Sequence, residues 1–306
     1  MVAAVFHSPR EAKTHAAPAS SLSVATPPVV VAAAVAVEPE PAPPREDFCD
    51  WRELGGKVLP PVLGMALLIG IWALLTMKST AFPTPAATFT EAVKVFSDPF
   101  YSKGPNDQGI GWNILFSLER VAVGFGLAAL VGIPMGFAIG RFEVLNRALS
   151  PLISLLRPVS PLAWLPIGLL VFKAANPAAI WTIFICSIWP MIINTAVGVQ
   201  RVPADYLNVA RVLNLSEWKV VTKILFPAVL PYMLTGVRLS VGTAWLVIVA
   251  AEMLTGGVGI GFWVWDEWNN LNVPHILIAI LVIGVVGLLL EMLLVNIAKR
   301  FSFDEH

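Results

Sequence analysis

From Val121 to Gly140 the chain carries no charged side chain. A helix of about 20 residues reaches across the roughly 30 Å of a bilayer's hydrocarbon. Backbone in lipid has no water to bond, so it must close its own hydrogen bonds as helix or closed barrel. Similar apolar runs recur at about 58–77, 112–140, 149–172, 178–199, 228–254 and 275–298. Hydrophobic residues make up 57% of the chain and charged residues 13%, against about 25% charged in a soluble domain. The expected fold class is therefore an all-α integral membrane protein with about six transmembrane helices, and lipid is its obligatory partner. The formal net charge is zero, which leaves no electrostatic footprint for nucleic acid.

Three regions follow one another. Residues 1–47 are rich in Ala, Pro and Val with scattered charge. They are expected to form a disordered cytosolic tail. Val29–Val37 within it is too short to span. Residues 58–111 hold the first span and an extracytoplasmic segment with FPTP at 82–85 and an amphipathic helix near 86–96. Residues 112–300 hold the remaining spans. Arg141, Glu143 and Arg147 read as a short polar loop, and LRPVSPLAWLP breaks the third span with prolines. Lys173–Pro177 reads as a tight turn, and Thr255–Pro274 as a loop rich in Gly and aromatics. Basic residues cluster at 141–147, at 200–226 and at Lys299–Arg300. In a six-span arrangement these fall on one side, which assigns that side and both termini to the cytosol.

The segment YLNVARVLNLSEWKVVTKILFPAVLP, 206–231, is polar and partly basic between two apolar runs. It reads as an amphipathic helix and a turn. Its spacing resembles the cytoplasmic signature of binding-protein-dependent ABC importer permeases: Glu-Ala-Ala, three residues, Gly, nine residues, Ile-x-Leu-Pro. Asn208, Val209 and Ala210 stand at the first triplet, Asn214 at the Gly, and Ile224 to Pro227 at the end. Asn208 replaces the acid. Asn214 tolerates the left-handed turn nearly as well as Gly does. SLERVAVGFGLAALVGIPMGFAIG at 117–140 and LRPVSPLAWLPIGLLVF at 156–172 resemble the second and third spans of the family. PYMLTGVRLSVGTAWLVIVAAEML at 231–254 is most similar to nitrate-importer permeases, with bicarbonate, cyanate, taurine and alkanesulfonate permeases as close relatives. The resemblance covers about residues 58–300. It implies the type-1 ABC permease fold and an inner-membrane location. It also implies cytosolic ATP-binding subunits, a periplasmic or lipid-anchored solute-binding protein and a second permease copy. The element at 206–227 would dock in a groove of the ATPase, with Val209, Val212 and Leu213 available for it. Ala210→Asp is then expected to disrupt docking without disturbing insertion.

No phosphate-cradling G-x-x-x-x-G-K-[ST] loop occurs. ATP hydrolysis is assigned to a partner, and the chain is read as a non-catalytic permease with no cofactor. His7, His15, His275 and His306 lack metal-ligand spacing, and Cys49 and Cys186 read as inert. A standalone anion channel or secondary transporter is the rival class. It predicts transport without a motor.

Charges within apolar spans are costly and mark function or pairing. Arg120 and Glu252 are the candidates for the substrate pathway, a guanidinium fork being suited to a flat oxyanion. The competing reading of Arg120 is an internal pair with Glu119 or Glu252 that fixes helix packing. Arg157 and Arg238 are read as structural, each pairing near the cytosolic interface. Gly132, Gly136 and Gly140 form a small face for close helix packing. Phe262, Trp263, Trp265 and Trp268 read as an interfacial belt or as a contact for a binding protein.

Overall fold

A computed structural model describes residues 51–78 and 82–301. The expected tail, 1–47, lies outside them, as do Cys49, His7, His15, His306 and the chain ends. The chain divides into units of residues 1–56 and 57–306, and every site residue lies in the second. The helices are α1 Trp51–Thr76, α2 Pro85–Ser97, α3 Ile110–Arg141, α4 Glu143–Leu156, α5 Leu165–Phe172 and α6 Ala175–Gln200. They continue as α7 Ala204–Val212, α8 Glu217–Val220, α9 Phe226–Thr255, α10 Ile260–Asn269 and α11 Val273–Phe301. No strand forms among the described residues; one isolated antiparallel bridge joins Ser102 and Gln108.

Five helical stretches are long and apolar enough to cross a membrane, and a bent pair would make a sixth. That pair is the third span, and the break expected from its prolines is a sharp bend. α4 and the stretch Pro161–Phe172 meet at 97°. Pro158 has no N–H for the next helical bond and Pro161 opens a new turn, so the helix cannot continue through 157–160. The polar loop expected at 141–147 is also helical: Phe142 is the single break, and Glu143 pairs with Arg147 one turn later on α4. The turn after α5 is shorter than expected, with Lys173 at φ +53° and α6 already begun at Ala175. Half of the Gly-rich loop at 255–274 is α10.

α6 is the central helix. Ala178, Thr182, Ile183, Met191, Ile192 and Thr195 are all fully buried along it, with α3 and α9 on its flanks. The small face of α3 makes this approach close. A Cβ on Gly136 would stand 2.6 Å from the Thr195 Cβ, and one on Gly140 would stand 2.6 Å from the Val199 Cβ. Pro134 sits within α3 without ending it. α1 is the opposite case. Leu63, Leu67, Leu74 and Leu75 are all exposed, as suits a helix whose surroundings are lipid rather than protein.

Candidate translocation and coupling sites

At one end of the bundle a polar cluster joins α3, α6, α9 and the loop before α10. Asn113, Ser117 and Arg120 follow at helical spacing on α3. Glu252, near the end of α9, is 1% exposed. It accepts hydrogen bonds from Arg120 Nη1 at 2.6 Å, from the Ser117 hydroxyl at 2.8 Å and from the Gly261 N–H at 3.0 Å. Arg120 also donates to the Val258 carbonyl and to Asn176 Oδ1, both at 2.6 Å. Asn113 Oδ1 accepts from the Gly259 N–H at 2.8 Å, and Ser117 Oγ accepts from the Ile260 N–H at 2.9 Å. The loop can reach this cluster because two of its contact residues, Gly259 and Gly261, carry no side chain. A Cβ on Gly259 would stand 2.4 Å from Glu252 Cδ, and one on Gly261 would stand 2.0 Å from the Val249 carbonyl oxygen. Gly256 and Gly257, at φ +75° and +93°, make the reversal.

Arg120 and Glu252 are thus brought together, in the arrangement of an internal pair. Nε and Nη1 of Arg120 are turned to fixed acceptors, while its side chain borders a cleft of about 350 Å³ with Phe116, Glu119 and Val123. Glu119 is exposed and takes no part in the pair. Trp263 departs from the expected belt. It is buried and stacks on His275 at 5.7 Å between centroids, whereas Trp265 and Trp268 are exposed. His275 Nδ1 lies 2.9 Å from Glu267 Oε1.

At the other end, α7 closes in a Schellman turn. The Leu215 N–H donates to the Ala210 carbonyl at 3.0 Å and the Asn214 N–H to the Arg211 carbonyl at 3.0 Å. Asn214 takes φ +48°, the conformation anticipated for it. Val209, Val212 and Leu213 are exposed at 57%, 82% and 63%, and spacings of three and four residues place them on one face. Asn208 and Pro227 are exposed as well, with Pro227 in the first turn of α9. Ala210 is different. It is buried with Val199, Val220, Leu225 and Val229, and Leu207, Leu215 and Ile224 pack on the same cluster. Ala210 and Ile224 therefore hold the element from beneath. An Ala210→Asp change would disturb that packing as well as any docking, so it cannot separate the two. Between α8 and α9, Val221–Leu225 winds as a π turn. Arg141 at the end of α3 reaches Glu217 at the start of α8, with 3.1 Å between Nη2 and Oε1.

Of the arginines within the spans, Arg238 pairs with Glu291 as expected. Arg157 does not pair. Its guanidinium makes no hydrogen bond or ion pair among the described residues, and it borders two clefts along α6. Sequence reasoning missed this, together with Ser117, Asn113 and Asn176. The spacing of Asn113, Ser117 and Arg120 on one helical face was the available signal for two of them.

A bundle of apolar helices around a buried α6, with an exposed helix–turn–helix at one end, is the architecture of a membrane permease. Residues 128–303 match the family of binding-protein-dependent transport system inner membrane components, and the chain belongs to this family of ABC importer permeases. It is 49% identical over 247 residues to the nitrate import permease protein NrtB of Leptolyngbya laminosa, covering 81% of this chain and 88% of that one. It is 47% identical over 236 residues to NrtB of Synechocystis sp., covering 77% and 86%. The bicarbonate transport system permease protein CmpB of Synechocystis sp. is 44% identical over 254 residues, covering 82% and 90%. The fold is shared with a chain of the methionine ABC transporter MetNI in an inward-facing conformation. There the TM-score is 0.57 at 14% identity, covering 62% of this chain and 95% of that one.

Proposed function

We propose that this permease carries nitrate, with nitrite, delivered by a solute-binding protein and driven by separate ATP-binding subunits. The observation that carries this reading is the 47–49% identity to nitrate import permeases over most of the chain. Bicarbonate is the second reading, on the 44% identity to bicarbonate permeases. Two copies pair around a central path, with both termini and the 206–227 element toward the cytosol. The basic residues Arg201, Arg211, Lys219 and Lys223 in that region support this orientation. Asn208, Val209, Val212, Leu213 and Asn214 form the surface offered to the ATPase. ATP closes the two ATPase subunits, the elements move with them, and the spans open toward the binding protein. Hydrolysis returns the path inward. In this scheme Arg120 and Glu252 hold α3, α9 and the loop before α10 together at the entry end, rather than meeting the anion directly.

The test is uptake by the complete complex, with ATPase and binding protein, in proteoliposomes. Nitrate, nitrite, bicarbonate, taurine and cyanate are supplied separately. ATP-dependent uptake of nitrate, with or without nitrite, supports the proposal. Uptake of bicarbonate alone moves the substrate and keeps the class. Anion flux without ATP or partners would favour a standalone transporter and sink the coupled mechanism.

A further inference from the structure

Two clefts open along the later part of α6, beyond the end at Asn176 that meets the Arg120 cluster. One, of about 600 Å³, is lined by Asn146, Ser150, Ser154 and Gln200 among apolar residues. The other, of about 340 Å³, is lined by Trp189, Asn194 and Thr243. They share two lining residues, Arg157 and Ile193. The α6 residues that border them run from Ile185 to Gln200, about 22 Å of helix axis. Gln200 is the last residue of α6, so the series of clefts ends beside the 206–227 element.

The charge along this series has one sign. Among the described residues Arg157 is the sole charged one in the lining of either cleft, and no carboxylate of theirs lines them. Arg120, Arg141, Arg147 and Arg238 each face a carboxylate, and Arg157 faces none among the described residues. Its place in the chain explains its exposure. It caps α4 at the 97° break, where Pro158 and Pro161 interrupt the helix. Irregular backbone at membrane depth is tolerated where it lines a cavity, and an unneutralised cation in an apolar span marks an ion path.

We propose that Arg157 is the anion-contacting residue of the translocation path, binding a planar monovalent oxyanion in transit between the two clefts. This rests on the reading of the chain as an oxyanion permease and locates the step within it. A planar guanidinium presents parallel N–H donors that match two oxygens of a flat oxyanion at once. The Ser154 hydroxyl and the Asn146 amide supply neutral donors on one side and the second N–H of the Asn194 amide on the other, while the Ser150 and Thr243 hydroxyls already donate to Asn146 Oδ1 and to the Leu239 and Ser240 carbonyls. A single cation open to a cleft, rather than a cage of several, holds an anion well enough to admit it and weakly enough to release it.

The experiment compares Arg157→Lys, Arg157→Gln and Ser154→Glu in the complete complex, reading nitrate uptake per ATP hydrolysed. Ser154 is exposed and lies three residues before Arg157 at the end of α4. A carboxylate there sits beside the guanidinium and neutralises it with Arg157 still in place. The Gln and Glu variants are expected to lose at least about tenfold in uptake per ATP, and the Lys variant to fall between them and the parent. Uptake within twofold of the parent in both neutralising variants overturns the assignment. Should the Gln variant fail to assemble, Arg157→Lys, which keeps the charge and loses the planar fork, decides: uptake equal to the parent's overturns the assignment. The parent complex separates the two levels: if it carries no oxyanion at all, the substrate reading fails; if it carries nitrate or bicarbonate and the neutralised variants carry it equally, only the Arg157 site fails.

Discussion

Arg120 lies within an apolar helix and Arg157 at the broken end of another, and their surroundings are opposite. Arg120 is 14% exposed and its donors reach Glu252, Val258 and Asn176 at 2.6 Å. Arg157 is exposed, stands at a broken helix and has no side-chain partner among the described residues. The first has given three of its five N–H donors to the protein; the second has given none of its side-chain donors to the described residues. A buried charge stripped of water must be compensated by fixed partners, and this is the basis of the structural role proposed for Arg120. A cation that keeps its donors free, in a cleft open to solvent, can exchange water for a passing anion.

The sharpest way to break this contrast is to remove the fixed partner. Glu252→Ala leaves the Arg120 guanidinium enclosed without its counter-charge and deprives the Gly261 N–H of its acceptor, while the Ser117 hydroxyl keeps only the Asn113 carbonyl. Breaking a buried pair by removing one member costs about 3–5 kcal/mol. The expected result is a clear fall in melting temperature of the purified permease and poor recovery of the assembled complex. A variant that melts like the parent would show that the cluster does not secure the bundle.

A smaller effect is expected at the 206–227 element, where the same division between inward and outward residues applies to two neighbours. Ala210→Asn places an amide against Val199, Val220 and Leu225, and burying an unpaired polar group costs about 1–3 kcal/mol in proteins. Val212→Asp alters a side chain that is 82% exposed, and exposed substitutions stay within about 0.5 kcal/mol. The Asn variant should lower permease stability. The Asp variant should melt normally but fail to retain the ATPase on size-exclusion chromatography. Full retention of the ATPase by the Asp variant would remove Val212 from the docking face.

Much of this was legible in the residues. The uncharged run 121–140 marks α3 from its second third almost to its C-terminal end at Arg141, because lipid forces any such run into helix. Asn214 announces its left-handed turn, since few other residues accept it. The inward face of α7 could also be read: Ala210 and Leu207 share one face by spacing, and Val209, Val212 and Leu213 share another. Other features were not legible for a physical reason. Glu143 and Arg147 look like loop residues until their pairing on a helical surface is seen. The Gly-rich stretch before α10 gives no sign that its N–H groups will bond to Asn113, Ser117 and Glu252, since those partners lie more than a hundred residues away or across a turn. Whether Arg157 has a carboxylate beside it depends on which helices α4 meets, and no local spacing carries that information.

The smallest effect on stability is expected at Arg157 itself, and it separates the two arginines most cleanly. Arg157→Gln removes a cation that forms no native hydrogen bond or ion pair among the described residues, so its melting temperature should match the parent's within about 0.5 kcal/mol of stability. The backbone bond from Arg157 N–H to the Ile153 carbonyl, 2.9 Å, survives the change. A loss comparable with that of Glu252→Ala would mean that Arg157 meets a carboxylate in the assembled transporter, contributed by a second copy or an ATPase subunit. It would then be a structural cation like Arg120, and the clefts along α6 would have lost the charge that makes them a path for anions.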